Sequence, residues 1–139
     1  MKLCSTKKYM SWFFQIVAAA ILFQTLFFKF AGAPESKFIF ATLGVEPWGR
    51  IAAGVVELIA GLMLLIPGTA IYGAALAAIA MLGAISAHVA RLGLIVQDDG
   101  GLLFLLAITV FVSSGLILVF RRAEIPILGR SFSAACPLH

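Results

Sequence analysis

This chain has few cysteines and no glycine-rich loop of the phosphate-binding kind, and these two features exclude several kinds of chemistry. Its 139 residues contain two cysteines, Cys4 and Cys136, far apart in sequence. No Cys-x-x-Cys pair occurs, so a membrane thiol–disulfide relay is not expected. No glycine-rich loop of the kind that cradles phosphate groups occurs either. The sequence therefore offers no redox dithiol and no nucleotide site.

Charged residues are also scarce, and this scarcity sets the class of protein. Only 12% of the residues are charged and 63% are hydrophobic, and the mean hydropathy is +1.12. A soluble domain usually carries about 25% charged and about 45–50% apolar residues. The chain has too little polar surface for water, and it is predicted to be an integral membrane protein.

Long apolar segments are what the chain has in abundance. Four of them approach the roughly 20 residues that cross a hydrocarbon core of about 30 Å, near 9–30, 49–66, 69–90 and 102–120. The alternation of a lipid-facing barrel strand is absent, so an all-α bundle of four transmembrane helices is predicted. Residues 1–139 form one membrane domain. The first apolar stretch exceeds the roughly 7–15 residues of a signal peptide and is expected to stay as a helix.

The connection between the first two spans is the only long loop. It begins at Pro34, which suits the first turn of a helix, and Gly44 suits a helix end. A short interfacial helix is therefore predicted over about 34–44. Two readings of this helix stay open, a simple connector on the membrane surface and a lid over an outer cavity.

The basic residues predict the topology. Four spans place both termini on one side, which carries six basic residues and one acid: Lys2, Lys7, Lys8, Arg121, Arg122, Arg130 and Glu124. The opposite side is balanced. The positive-inside rule then puts both termini in the cytoplasm, in a bacterial-type inner (plasma) membrane. The basic pI, about 9.4, reflects this topology, and a nucleic-acid partner is not expected. His88 and His139 fall on opposite sides, so no haem or zinc pair and no metal site is predicted.

Glu57 is the most informative residue because it lies in the middle of the second span. An acid at this depth costs roughly 2.5–3.5 kcal/mol on insertion scales. It is tolerated when it faces the bundle interior, takes a partner or stays protonated. Ala53 and Gly61 precede and follow it by four residues. Glu57 is therefore predicted to face a close-packed neighbouring helix.

Candidate partners of Glu57 gather at the outer ends of the spans. Lys29 ends the first span, Arg50 begins the second and His88 lies late in the third. With Glu57 they form the candidate polar pocket. A purely structural bridge from Glu57 to Lys29 or to Arg50 stays open, and the basic side chains could instead extend to the lipid headgroups. Weaker candidates are Arg91, Asp98 and Asp99, the two acids forming a turn and helix-start signal.

Small residues predict where the helices approach one another. Ala53 and Gly61 repeat at four-residue spacing about Glu57, and Ala70, Ala74 and Ala78 do so in the third span. Small residues at this spacing let transmembrane helices pack closely. The same faces are compatible with a homo-oligomer or with a partner membrane protein.

Three short motifs carry a resemblance to a known family. They are Phe27-Phe28-Lys29-Phe30, the segment from Gly54 to Gly61 around Glu57, and Ala87-His88-Val89. Over about residues 10–120 the chain resembles the DoxX family of small four-helix membrane proteins. The resemblance implies a link to quinones and a partner redox protein. Lys29, Glu57 and His88 are the positions of this sequence that match the pattern of the family.

Three functions remain open at this stage. The first is a membrane subunit or accessory protein of a quinone-linked redox system, with an outward polar pocket and no enzymatic activity of its own. No electron carrier is evident in the sequence, and a quinone is expected only through the resemblance. The second is a small-metabolite transporter or permease, although no internal repeat is evident. The third is a structural membrane partner without a ligand.

Overall fold

Five α-helices form the part of the protein that the structure, a computed structural model, describes. This part comprises residues 2–122, with side chains from residue 5 onward. The helices are α1 (Lys2–Ala31), α2 (Pro34–Thr42), α3 (Trp48–Leu65), α4 (Ala70–Ala87) and α5 (Leu102–Phe120), and a π-helical turn (His88–Leu92) extends α4. Glu124, Arg130, Cys136 and His139, on which some of the sequence-based predictions rest, lie outside the described residues.

The all-α, four-span architecture predicted from the sequence is confirmed. Helices α1, α3, α5 and α4 with its π-helical turn are long and apolar enough to cross a membrane. Helix α2 is the short helix predicted between the first two spans, and it ends at Thr42, earlier than expected. Gly44 lies beyond this end with a φ of +77°, a conformation that glycine adopts without strain. The third span, predicted over about 69–90, changes to a π-helical turn at His88.

The four long helices pack in a closed ring in the order α1, α3, α4, α5. Each helix contacts two neighbours, and the diagonal pairs barely meet. Large apolar side chains such as Val55, Ile79, Leu105 and Val119 are exposed on the outside. In water such a surface would be unstable, whereas lipid solvates it. The ring is therefore a membrane bundle with its polar groups turned inward.

Some of the small residues predicted at helix contacts lie at such contacts, and others do not. A side chain on Gly61 would collide with Phe23 of α1, and Ala70 and Ala74 are fully buried in α4. Ala78 is only partly buried, and Ala77 is fully buried instead. A step of four residues overshoots one helical turn of 3.6, so the contact face moves back by one residue along α4.

The core closes one half of the bundle, the half around the ends of α3 (Leu65) and α5 (Phe120), which we call the inner half; we call the opposite end the outer end. Leu22, Leu64 and Ile117 are almost completely buried there, with small residues of α4 between them. The helices separate toward the other end, where α2 and the segment 93–101 connect them. This opening positions the candidate site.

Candidate functional site

A buried ion pair between α1 and α3 accounts for the charge of Glu57. Lys29 Nζ lies 2.9 Å from Glu57 Oε2, and the Lys29 and Glu57 side chains are 16% and 6% exposed. Thr25 Oγ1, one turn earlier on α1, lies 3.2 Å from the same oxygen and 3.0 Å from the Leu22 carbonyl. Of the two bridges that the sequence left open, the structure contains the one to Lys29.

Arg50 takes another partner. Its Nε donates to both carboxylate oxygens of Glu46, at 2.9 and 3.1 Å, and one terminal nitrogen donates to the carbonyl oxygen of Lys29. Arg50 therefore ties the start of α3 to the end of α1. It lies beside the Lys29–Glu57 pair, and it does not line the cavity described next.

A cavity of about 600 Å³ opens at the outer end of the bundle. All five helices and the π-helical turn contribute to its wall, which is mostly apolar. Its titratable lining residues are Lys29, Glu35, Glu57, His88 and Asp99. The volume falls within the roughly 300–1,000 Å³ of small-molecule sites, and apolar walls with few polar groups are typical of them.

His88 stands on the α4 side of this cavity and is 4% exposed. Its Nδ1 lies 2.9 Å from the carbonyl oxygen of Gly93, and the Gly93 N–H donates back to the His88 carbonyl at 2.8 Å. The ring meets Phe104 edge to face at 5.5 Å between centroids. A carbonyl oxygen only accepts, so Nδ1 carries a proton, and in the neutral ring Nε2 is an acceptor.

Asp99 organises the loop that borders the cavity. Its Oδ1 accepts from the N–H of Val96 and of Gly101, and its Oδ2 from that of Leu103 in the first turn of α5. Burial by itself raises the pKa of Asp99, but these three hydrogen bonds and the nearby His88 outweigh it, so the pKa lies below its ordinary value. Asp99 is therefore a helix-start acceptor, and its oxygens are already occupied by backbone.

The cavity brings some of the candidate residues together and leaves others outside. The candidates that line it are Lys29, Glu57, His88 and Asp99. Ala53, the small residue four positions before Glu57, also lines it. Arg91 and Asp98 are exposed and lie outside it. Among residues 2–122, no group of three or more potential metal ligands occurs.

Two acids at the site, Glu46 and Glu35, were not among the candidate site residues. Glu46 neutralises Arg50, and its place four residues before an arginine could have signalled this pairing. Glu35 lines the cavity from α2. The position of Glu35 in the cavity wall depends on how α2 folds back over the bundle, so no local sequence pattern indicated it.

The inner half of the bundle contains polar side chains that were not among the candidate site residues. Gln15 and Ser114 are completely buried, and Gln15 Nε2 donates to Ser11 Oγ at 2.7 Å. Gln15 Oε1 and Ser114 Oγ have no hydrogen-bond partner within the described part of the chain. These uncharged groups lie between α1 and α5, away from the cavity.

Comparisons with protein-family models, with curated protein sequences and with solved structures find no match for this chain.

Proposed function

We propose that this protein is a binding subunit or accessory protein of a quinone-linked redox system in the membrane. Its cavity would hold the head group of a quinone or of its reduced form, with Lys29 as the donor to a carbonyl oxygen and with Glu57 and His88 as acceptors for hydroxyl groups. Membership of the DoxX family is part of this proposal. The observation that carries it is a buried ion pair in the wall of a large, mostly apolar cavity.

The chemistry of the wall supports a ligand that is mainly apolar with a small polar head. Lys29 Nζ has donors beyond the one used by Glu57, and an ammonium group can donate to a quinone oxygen. Glu57 Oε1 has no hydrogen-bond partner among residues 2–122, because both Thr25 and Lys29 bind Oε2. The apolar residues around these groups would contact the ring and the first part of its tail.

The packing of the inner half favours binding over transport. Leu64 and Ile117 fill the bundle below the cavity and Leu22 is part of the cavity wall, and each of the three is at most 1% exposed. A transport path would have to open this core. The cavity is instead closed at its inner end and accessible from the other, as expected for a binding site that exchanges its ligand with one leaflet.

The proposal includes an orientation. Both ends of the described chain lie on the side away from the cavity, since α1 and α4 run toward the cavity and α3 and α5 run back. With the positive-inside rule, this side is the cytoplasm and the cavity faces outward, in a bacterial-type inner membrane.

A binding measurement with a matched control tests the proposal. The protein in lipid nanodiscs is titrated under anaerobic conditions with a short-tailed hydroquinone, whose hydroxyl groups can donate to Glu57, and Glu57→Gln is compared with Glu46→Gln. Both changes remove a carboxylate from a buried cation, but only Glu57 lines the cavity. We expect Glu57→Gln to weaken binding about tenfold or more, roughly the contribution of one charge-assisted hydrogen bond. Glu46→Gln should bind like the unchanged protein, and equal binding by both variants would reject the proposal.

The accessory role has its own test. Isolation of the tagged protein in mild detergent should recover a redox enzyme together with extractable quinone. Recovery of the chain with neither of them would contradict a role in a redox system, even if added quinone binds.

A further inference from the structure

As a neutral ring, His88 offers the cavity only one kind of hydrogen bond, that of an acceptor. Its Nδ1 proton is committed to the Gly93 carbonyl at 2.9 Å, and the returning bond from the Gly93 N–H holds that carbonyl in place. Phe104 fixes the plane of the ring. Exchange of the tautomer would place two lone pairs against each other. Nε2 has no hydrogen-bond partner among residues 2–122, so it presents an acceptor to whatever occupies the cavity.

The second open group of the cavity is also an acceptor. Glu57 Oε1 lies beside the oxygen that Lys29 and Thr25 occupy. It is not among the side-chain atoms that the described protein encloses completely without a partner, so a ligand can reach it. A ligand hydroxyl group can donate to either of these acceptors, whereas a ligand carbonyl can donate to neither.

The charge of the wall argues against ionic ligands of either sign. Three carboxylates, Glu35, Glu57 and Asp99, face one ammonium group, Lys29, among the lining residues. An anionic head group would meet this excess of negative charge in a poorly hydrated space, where like charges repel strongly. A cationic head group would approach Glu57 against the Lys29 ammonium, which lies 2.9 Å from the carboxylate.

We propose that the cavity selects uncharged amphiphiles whose head group carries hydroxyl donors, the hydroquinone and phenol class, with His88 Nε2 as the selecting acceptor. This proposal rests on the proposed function and deepens it, because it names the reduced member of the quinone couple as the preferred ligand. The oxidised quinone keeps its contact with Lys29 and loses the bond to His88.

Three ligands that share one ring and tail test the selection under anaerobic conditions. They are a short-tailed hydroquinone, its dimethyl ether and the corresponding quinone, each titrated into the protein in lipid nanodiscs. We expect the hydroquinone to bind about tenfold more tightly than the ether or the quinone, at the upper end of the contribution of one neutral hydrogen bond. The protein should then raise the midpoint potential of the couple by about 30 mV, the equivalent of that tenfold preference for two electrons.

Two variants of His88 separate binding from structure. In His88→Asn the amide nitrogen takes the place of Nδ1 and can still donate to Gly93, but no acceptor remains at the place of Nε2. In His88→Gln an amide oxygen can reach that place. The preference for hydroquinone should disappear in the first variant and persist in the second. A preference that survives in His88→Asn would overturn the role of His88.

The remaining outcomes are also decisive. Equal affinity for hydroquinone and quinone overturns the selection and leaves the proposed function standing. Displacement of bound hydroquinone by lower concentrations of a fatty-acid anion or an alkylammonium cation of the same tail length overturns the preference for uncharged ligands. If neither member of the couple binds, the proposed function fails and this proposal fails with it.

Discussion

Lys29 and Glu57 differ in how easily each side chain could reach the polar headgroup region if its partner were removed. Lys29 lies near the end of α1, so a long flexible side chain can extend toward the headgroups. Glu57 lies about 10 Å deeper than Arg50, at a rise of 1.5 Å per residue, and its short side chain has no such route. Loss of Glu57 therefore leaves Lys29 able to reach the headgroups, whereas loss of Lys29 leaves the Glu57 carboxylate within the membrane.

This asymmetry predicts the cost of breaking the pair from each side. Removal of one partner of a buried ion pair costs about 3–5 kcal/mol, and Lys29→Met should reach that range because it leaves Glu57 unpaired at depth. Glu57→Leu should cost less. The double variant should recover most of the loss, since apolar residues often replace buried pairs without cost. Unfolding in detergent measures all three, and additive losses in the double variant would contradict an ion pair.

Asp99 predicts a second effect at the scale of one residue. Asp99→Ala leaves three backbone N–H groups without their acceptor, and loss of such a helix-start acceptor usually costs about 0.5–2 kcal/mol. Asp98→Gly is the matched control, because Asp98 has a φ of +62° that glycine adopts freely. Unfolding in detergent should show the loss for Asp99→Ala only.

The same carboxyl group gives a pH dependence whose sign follows from its pKa. The pKa of Asp99 is lower in the folded protein, so its contribution to stability is present above its unfolded value, about 3.9. That contribution is lost as the pH falls through the folded value. The difference in unfolding free energy between the unchanged protein and Asp99→Ala should therefore shrink below about pH 4. A difference that grows with acid would contradict the assigned role.

At the scale of the elements, the α3–α4 hairpin depends on one glycine. A Cβ atom on Gly73 would lie 2.8 Å from the backbone nitrogen of Leu64 and 2.9 Å from the carbonyl carbon of Met63. Backbone atoms cannot rotate away as side chains do, so the two helices would have to separate. Thr69 holds the same turn by donating to the Met63 carbonyl at 3.0 Å.

Gly73→Ala should destabilise the protein, whereas Gly115→Ala should not. Nothing lies within 4 Å of a Cβ added at Gly115, and alanine is favoured over glycine in a helix by about 0.5–1 kcal/mol. Thermal unfolding in detergent should therefore shift in opposite directions for the two variants. A neutral Gly73→Ala would show that the hairpin accommodates the methyl group.

At the scale of the whole molecule, the bundle is closed at one end and open at the other. Its inner half is filled mainly with apolar side chains, among which the uncharged Gln15 and Ser114 are buried, and its ionisable lining groups stand at the open end. Such a one-sided opening lets a ligand exchange with one leaflet only. Which leaflet that is depends on the orientation of the bundle.

Labelling of introduced cysteines tests that orientation. With Cys4 and Cys136 replaced by serine, single cysteines are placed at Asp98, on the cavity side, and at Gly68, in the turn between α3 and α4. A membrane-impermeant maleimide should label Asp98→Cys in intact cells and Gly68→Cys only after permeabilisation. The reverse pattern would place the cavity on the cytoplasmic side.

The sequence alone determined the class of this protein, because its composition leaves too little polar surface for water. The lengths of its apolar segments predicted the four spans, and Pro34 predicted the helix between the first two. The sequence also singled out Glu57, since a carboxylate at this depth requires an explanation wherever the helices lie. These inferences depend on residue type and on spacing along the chain, and both can be read directly from the sequence.

Only the tertiary structure decided between Lys29 and Arg50 as the partner of Glu57. The answer depends on which helices are neighbours and how each is rotated, and Glu46 removes Arg50 from the competition. The structure also decided which ring nitrogen of His88 is bound within the protein and which is open to the cavity. A π-helical turn brings the Gly93 carbonyl to Nδ1, and Nε2 stays open. The cavity arises from the separation of four helix ends, a property of their packing that no single segment encodes.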